Sequence, residues 1–210
     1  MSGLTSAGLK LYGGPTSPYV RKVQVLAIEA GLGALEVTEA SSTPVSDATP
    51  VVAAVNPLGK VPALVTPSGA AIYDSRVITR WLDDHTGAGL YPAGEALWPV
   101  LVLEALADGI LDATLLMVYE GRLRAEELRF APWVEGQWAK IARALDHVEA
   151  VKLPELEGRL TAGQIALGVA LGYLDFRLSA RDWRAGRPGL ARWEGAFAAR
   201  PAMQQTLPKG

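Results

Sequence analysis

Apolar and polar positions change period along the chain. Leu9 to Tyr12 reads as a short strand, and from Ser17 to Ala30 the apolar residues recur at helical spacing until Gly31 stops the run. Ala34 to Glu39 predicts a second strand. The succession of strand, helix and strand favours a parallel crossover, a βαβ unit, and a weaker helix is expected near Asp47 to Val55. Pro62 to Val65 and Ala70 to Tyr73 then flank Thr66-Pro67-Ser68-Gly69, whose turn chemistry makes the two runs an antiparallel hairpin. The next helix carries Ile78, Trp81, Leu82 and His85 at i, i+3, i+4 and i+7. This stripe is expected to pack on the sheet, with His85 a satisfied core residue.

From 87 to 94 the segment GAGLYPAG is Gly-rich and uncharged, as a linker would be, and divides the chain into domains 1–86 and 95–210. Beyond it no strand pattern is found. Leu103, Leu106 and Ile110 mark one helix, Trp138, Ile141, Leu145 and Val148 a second, and Leu190, Trp193 and Phe197 a third. Thr161 with Gln164 forms a capping box that opens a nearly all-apolar helix through Ile165 to Leu174, expected at the centre of its domain. Gly168 and Gly172 on it read as a close-packing pair. The fold class is therefore an α/β N-terminal domain joined to an all-α C-terminal domain.

Composition narrows the chemistry. With 210 residues, half of them hydrophobic, the chain can bury a real core, and a net charge of -2 offers no basic footprint for nucleic acid. Met1 to Lys10 lacks a secretory pattern, and the longest apolar stretch is too short to span a bilayer, so a cytoplasmic protein without membrane association is expected. The absence of cysteine removes disulfides, thiolate metal sites and protein-thiol redox cycling; with His85 and His147 the only histidines, no metal site is expected. Dinucleotide, phosphate-loop and nucleophile-elbow motifs are missing as well.

Three local features carry candidate chemistry. Thr16-Ser17-Pro18-Tyr19 lies between the first strand and helix, with Ser17 suited to the N-cap and Pro18 to the first helical position. A hydroxyl there sits beside unpaired backbone donors and can donate to a bound thiolate; it can equally be a helix cap and nothing more. In Asn56-Pro57-Leu58-Gly59-Lys60-Val61-Pro62, the proline opens a strand without an N–H for its ladder. A cis Val61–Pro62 bond is expected, which would offer the backbone of Val61 to an extended peptide. Asp74-Ser75 opens the third helix, where a carboxylate and an ammonium could both be held. Together these would hold a small peptide with a thiol at one end and a free amino acid at the other, which describes glutathione.

TSPYVRK, NPLGKVP, YDSRVI and the ending ARPAMQQTLP resemble the glutathione S-transferase family over nearly the whole chain, and ALADGI with GYLDFR resembles its bacterial YibF-like members. The resemblance implies a thioredoxin-like domain plus a helical domain, usually dimeric. It makes Ser17 the thiol activator, with Thr16 as the alternative hydroxyl. Val61, flanked by Lys60 and Pro62, would hold the cysteinyl backbone of glutathione, and Asp74 with Ser75 its γ-glutamyl group. Family members that work through a cysteine are not models here. Gln164 stands where the domain-two capping box commonly has Asp, a conservative change.

Glu104, Asp108 and Asp112 recur at i, i+4 and i+8 and read first as a solvated face, otherwise as a contact to a partner subunit or the edge of the glutathione site. Met117 and Tyr119, ahead of Trp133 and Trp138, are candidates for a second-substrate pocket. Conjugation of glutathione to a small, mostly apolar electrophile is the favoured activity. A peroxidase or isomerase on the same frame and a non-catalytic glutathione-fold binding protein are the alternatives.

Overall fold

The computed structural model describes residues 5–208, which form two compact units, one running to Pro92 and including the segment from Pro201 onward, the other Ala93–Arg200. The first contains β1 (Lys10–Gly13), α1 (Pro18–Glu29), β2 (Glu36–Glu39), α2 (Pro50–Ala53), β3 (Ala63–Val65), β4 (Ala71–Ile72) and α3 (Ser75–Thr86). Its sheet has the order β2-β1-β3-β4, with β1 parallel to β2 and antiparallel to β3, and β3 antiparallel to β4. This is the expected βαβ unit followed by a hairpin and helix, a thioredoxin-like arrangement. Leu11, Ala63 and Leu64 of the inner strands are fully buried, as are Val23 and Val25 of α1.

The buried face of α3 differs from the predicted stripe. Ser75, Ile78, Thr79, Leu82 and Asp83 point inward, whereas His85 is exposed and Trp81 half-buried. The two rings stack on each other with centroids 3.9 Å apart, and His85 Nδ1 lies 2.8 Å from the Trp81 carbonyl oxygen. His85 is thus a surface residue, with its apolar body covered by a neighbour one turn away. Asp83 has the structural role instead: its buried carboxylate accepts from the backbone N–H of Leu90 at 2.7 Å and of Tyr91 at 2.9 Å. These bonds fasten the segment after α3 back onto the first unit, which is why most of the predicted linker belongs to that unit.

The C-terminal segment, read from the sequence as part of the helical domain, also packs with the first unit. Its short helix α8 (Pro201–Gln205) meets α1, where the buried Arg21 donates to the Met203 carbonyl at 3.1 Å and to Thr206 Oγ1 at 3.4 Å. Burial holds the Arg21 guanidinium below its usual pKa.

The second unit is built from α4 (Leu97–Leu123), α5 (Ala131–His147), α6 (Ala162–Arg177) and α7 (Pro188–Ala198), and its described residues contain no strand. Thr161 and Gln164 form the expected box: the Gln164 N–H donates to Thr161 Oγ1 at 3.4 Å and the Thr161 N–H to Gln164 Oε1 at 2.9 Å. Every residue from Ala162 to Leu171 is buried, so α6 is the central helix. Two glycines admit its neighbours. A β-carbon at Gly163 would lie 2.8 Å from the Val100 carbonyl oxygen, and one at Gly168 would lie 2.4 Å from the Phe197 ring. Glu104 and Asp108 are buried, in contrast to the solvated face expected of them, and only Asp112 of that trio is exposed. They share the inward side of α4 with Leu103, Ala107, Ile110 and Leu111. No helix of the described residues is long and apolar enough to cross a membrane.

Candidate glutathione site

The strand register brings the three candidate motifs together. Tyr12 pairs with Ala63, so the residues preceding β3, Val61 and Pro62, lie beside the carboxyl end of β1 from which the chain passes to Ser17. Leu64 pairs with Ile72, so β4 leaves the sheet at the same end and delivers Asp74 and Ser75 there. Each motif is then positioned by its own local chemistry.

At the end of β1, Gly13 lets the first turn of α1 lie directly on the strand: a β-carbon there would be 2.2 Å from Val20 Cγ2. Ser17 is the N-cap of α1, with Pro18 following, and its Oγ accepts from the Val20 N–H at 3.4 Å. This cap uses an oxygen lone pair only. The hydroxyl proton stays available for donation, so capping and thiolate stabilisation are compatible roles rather than alternatives. Thr16 and Ser17 are both half-buried.

The NPLGKVP loop is held by Asn56, whose task the motif alone does not reveal. Asn56, buried, donates from Nδ2 to the Lys60 carbonyl at 2.8 Å and accepts the Leu58 N–H on Oδ1 at 3.0 Å. Its own carbonyl accepts the Gly59 N–H at 2.8 Å, and Gly59 itself adopts φ +63° against Ala48. The signal was present as an Asx-turn pattern, Asn followed by Pro and, two residues later, Gly. Val61–Pro62 is cis, as expected, and so is Tyr73–Asp74. Val61 precedes the first ladder pair of β3, at Ala63, and Lys60 is exposed.

At α3 the carboxylate is the cap. Asp74 Oδ1 accepts from the Arg76 N–H at 3.0 Å while Oδ2 meets the Arg76 guanidinium at 3.4 Å, an exposed pair of small energetic weight. Ser75 is buried at the first helical position.

A cleft of about 320 Å³ also touches Ser17, but it runs along the β2 side of α1 past Gln24, Val37 and Thr206 and includes neither Val61 nor Asp74. It is a feature distinct from the convergence at the sheet end. In the second unit, Met117 is buried and Tyr119 half-buried on α4. Burial raises the Tyr119 pKa, the neighbouring Tyr173 adds to the rise, and Arg177 opposes it.

Residues 16–85 match the model of the glutathione S-transferase N-terminal domain, and residues 131–196 that of the C-terminal domain. The chain belongs to the glutathione S-transferase family. It is 34% identical over 207 residues to the uncharacterized GST-like protein YibF of Escherichia coli, covering 95% of this chain and 98% of that protein. A glutathione transferase family member from Pseudomonas fluorescens Pf-5, solved with bound glutathione, superposes with a TM-score of 0.90 at 44% identity over 96% of this chain and all of that one. Another structure from the same bacterium, with bound S-(propanoic acid)-glutathione, gives 0.88 at 43% identity over the same shares. The glutathione S-transferase architecture, a thioredoxin-like domain with a helical one, is thus this chain's fold.

The Asn56 network yields a stability prediction. Asn56→Ala removes two hydrogen bonds from a buried turn and leaves the Lys60 carbonyl and Leu58 N–H to find other partners, which is expected to lower stability by about 1–3 kcal/mol. Denaturant unfolding of the two proteins side by side measures the difference.

Proposed function

We propose that this protein is a glutathione transferase: it binds glutathione at the end of the sheet where β1, β3 and β4 converge, and activates its thiol for attack on a small, mostly apolar electrophile. The observation that carries this reading is the common end of the sheet shared by Ser17, Val61 and Asp74-Ser75. Val61, with Lys60 and Pro62 around it, pairs with the cysteinyl backbone. Asp74 takes the γ-glutamyl ammonium, and Ser75 with the start of α3 takes the adjacent carboxylate.

Ser17 donates its hydroxyl proton to the thiolate, with Thr16 as a neighbouring hydroxyl of lesser effect. Lowering a thiol from about 8.5 to about 6.5 requires roughly 2.7 kcal/mol. One hydrogen bond to a charged acceptor contributes about 1.5–3 kcal/mol, and a helix N-terminus about 0.3–1 more. The two suffice. Met117 and Tyr119 contribute to the pocket for the electrophile. The relative that holds S-(propanoic acid)-glutathione binds a glutathione substituted on sulfur, which fits a chemistry in which sulfur forms the new bond.

The protein acts as a homodimer in this reading, through the outward face of α4, on which Asp112 is the one exposed member of the acidic trio. Trp98, Val102 and Leu116 are 58%, 55% and 41% exposed, and with Ala105, Gly109 and the exposed Asp112 they form one outward, mainly apolar stripe at helical spacing. An apolar stripe of that length on a monomer marks an interaction surface. Sedimentation at micromolar concentration is expected to give a dimer, and Val102→Glu a monomer; a wild-type monomer would remove this part of the proposal.

The test of the mechanism is a thiolate titration in the ultraviolet. Ser17→Ala is expected to raise the pKa of bound glutathione by about 1–2 units. Turnover at pH 6.5 then falls roughly ten- to a hundredfold where thiolate attack limits the rate, with a smaller deficit at high pH. Because the same change removes a helix cap, Ser17→Thr is the control that keeps both roles. A pKa moved by Thr16→Ala and unmoved by Ser17→Ala would make Ser17 a cap alone.

A further inference from the structure

The cleft on the β2 side of α1 is lined by residues of the first unit alone, and a buried cation stands on its wall. Arg21 is 8% exposed. Arg76 and Arg80, the other arginines of that unit, are paired at the surface with Asp74 and Asp84 at 3.4 and 3.3 Å. Arg21 has no acid partner among the described residues. Its Nε donates to Thr206 Oγ1 at 3.4 Å and its Nη2 to the Met203 carbonyl at 3.1 Å, both neutral acceptors. Burial alone moves its pKa, downward, as it does for a guanidinium with no carboxylate close by. Nη1 is left without an acceptor, and it is not sealed in: among the described residues Arg177 Nε is the one fully buried side-chain nitrogen that lacks a partner. A buried charge held by neutral acceptors alone is incompletely compensated.

Other polar groups on the wall are already engaged. Gln24 uses both ends of its amide on the Leu35 backbone, donating from Nε2 to the carbonyl at 2.9 Å and accepting the N–H on Oε1 at 2.8 Å. The Thr206 hydroxyl donates to the Ala202 carbonyl at 2.8 Å. Val20, Ile28, Val37 and Leu207 give the cleft aliphatic sides, and the last two remain 41% and 52% exposed. We infer that this cleft is a binding site for a small acid with one carboxylate and an apolar body, the carboxylate meeting Arg21 and the body covering Val37 and Leu207. A carboxylate takes guanidinium N–H groups through charge-assisted bonds stronger than those Arg21 makes to neutral oxygens. Glu39, the one acid among the described lining residues, is exposed, and its charge disfavours a second negative charge on the ligand, which selects a carboxylate over a phosphate monoester. A volume of about 320 Å³ lies at the lower end for small-molecule sites, so the body is a single ring or a short chain. The site requires no glutathione, and its test is independent of the transferase reading.

A matched pair of probes tests this: 3-phenylpropanoate and 3-phenylpropanamide, which share size and apolar body and differ in charge. Each is titrated without glutathione into isotopically labelled full-length protein, and the amide shifts report both affinity and place. The acid is expected to bind with a Kd of roughly 0.1–1 mM and the amide at least about tenfold more weakly. The acid's shifts should be concentrated at Arg21, Val37 and Thr206. Arg21→Gln should erase the preference for the acid. Because Arg21 also ties α8 to α1, two changes at the exposed Val37 supply a test that leaves this tie in place. Val37→Lys and Val37→Glu set opposite charges in the same cleft, and the acid should bind roughly tenfold more tightly to the first than to the second, while the amide binds both alike. Equal affinity of the wild type for the two probes, no binding of the acid at 10 mM (about ten times the weakest Kd expected), shifts at Val61 and Ser75 in place of the cleft, or an acid affinity indifferent to the charge at position 37 would each overturn the inference. Thermal melts of the variants verify that folded proteins are being compared.

Discussion

The approach of α1 to β1 at Gly13 determines where the candidate chemistry sits. With Val20 Cγ2 only 2.2 Å from the position a β-carbon would take, any side chain at 13 would force Val20, in the first turn of α1, to give way. Because β1 is the central partner of both β2 and β3, the same strand sets the register that carries Val61 and Pro62 alongside, and β4 follows β3 back to the same end. A glycine-permitted contact and two strand pairings thus assemble three motifs that are far apart in sequence. Asn56 completes the arrangement by closing the loop before Val61 with bonds to both sides of its amide.

The helical unit is organised by a comparable closeness around α6. Gly163 and Gly168 bring α4 and Phe197 onto a helix that is buried along most of its length, and Arg184 ties the end of that helix to α7 by joining Asp175 to Glu194. These carboxylates hold the Arg184 pKa above its usual value.

Much of this was legible in the chain because local signals act over a few residues. The Ser17 cap with Pro18, the capping box of Thr161 and Gln164, and the turn at Thr66 to Gly69 each depend on neighbours within one turn of backbone, and each forms as expected. What was misread depends on distant packing or on the width of a buried face. Trp81 and His85 fit a helical stripe, but the sheet-facing side of α3 is centred on Ile78, Thr79 and Leu82, and the two rings cover each other instead. Glu104 and Asp108 obey the spacing of an exposed acidic row yet flank Leu103 and Ala107 on a broad inward face, a width that charge pattern alone does not reveal. The partnership of Arg21 with Met203 and Thr206 spans 182 and 185 residues, beyond the reach of any periodicity.

The proposed activity requires glutathione to lie at the end of the sheet. Backbone amide shifts of isotopically labelled protein, followed while glutathione is added, test it most directly. The largest changes are expected at Val61, in the first turn of α1 beginning with Ser17, and at Ser75, reaching saturation within the millimolar range. Shifts concentrated in the α1–β2 cleft around Gln24 and Val37, or none at millimolar glutathione, would contradict it.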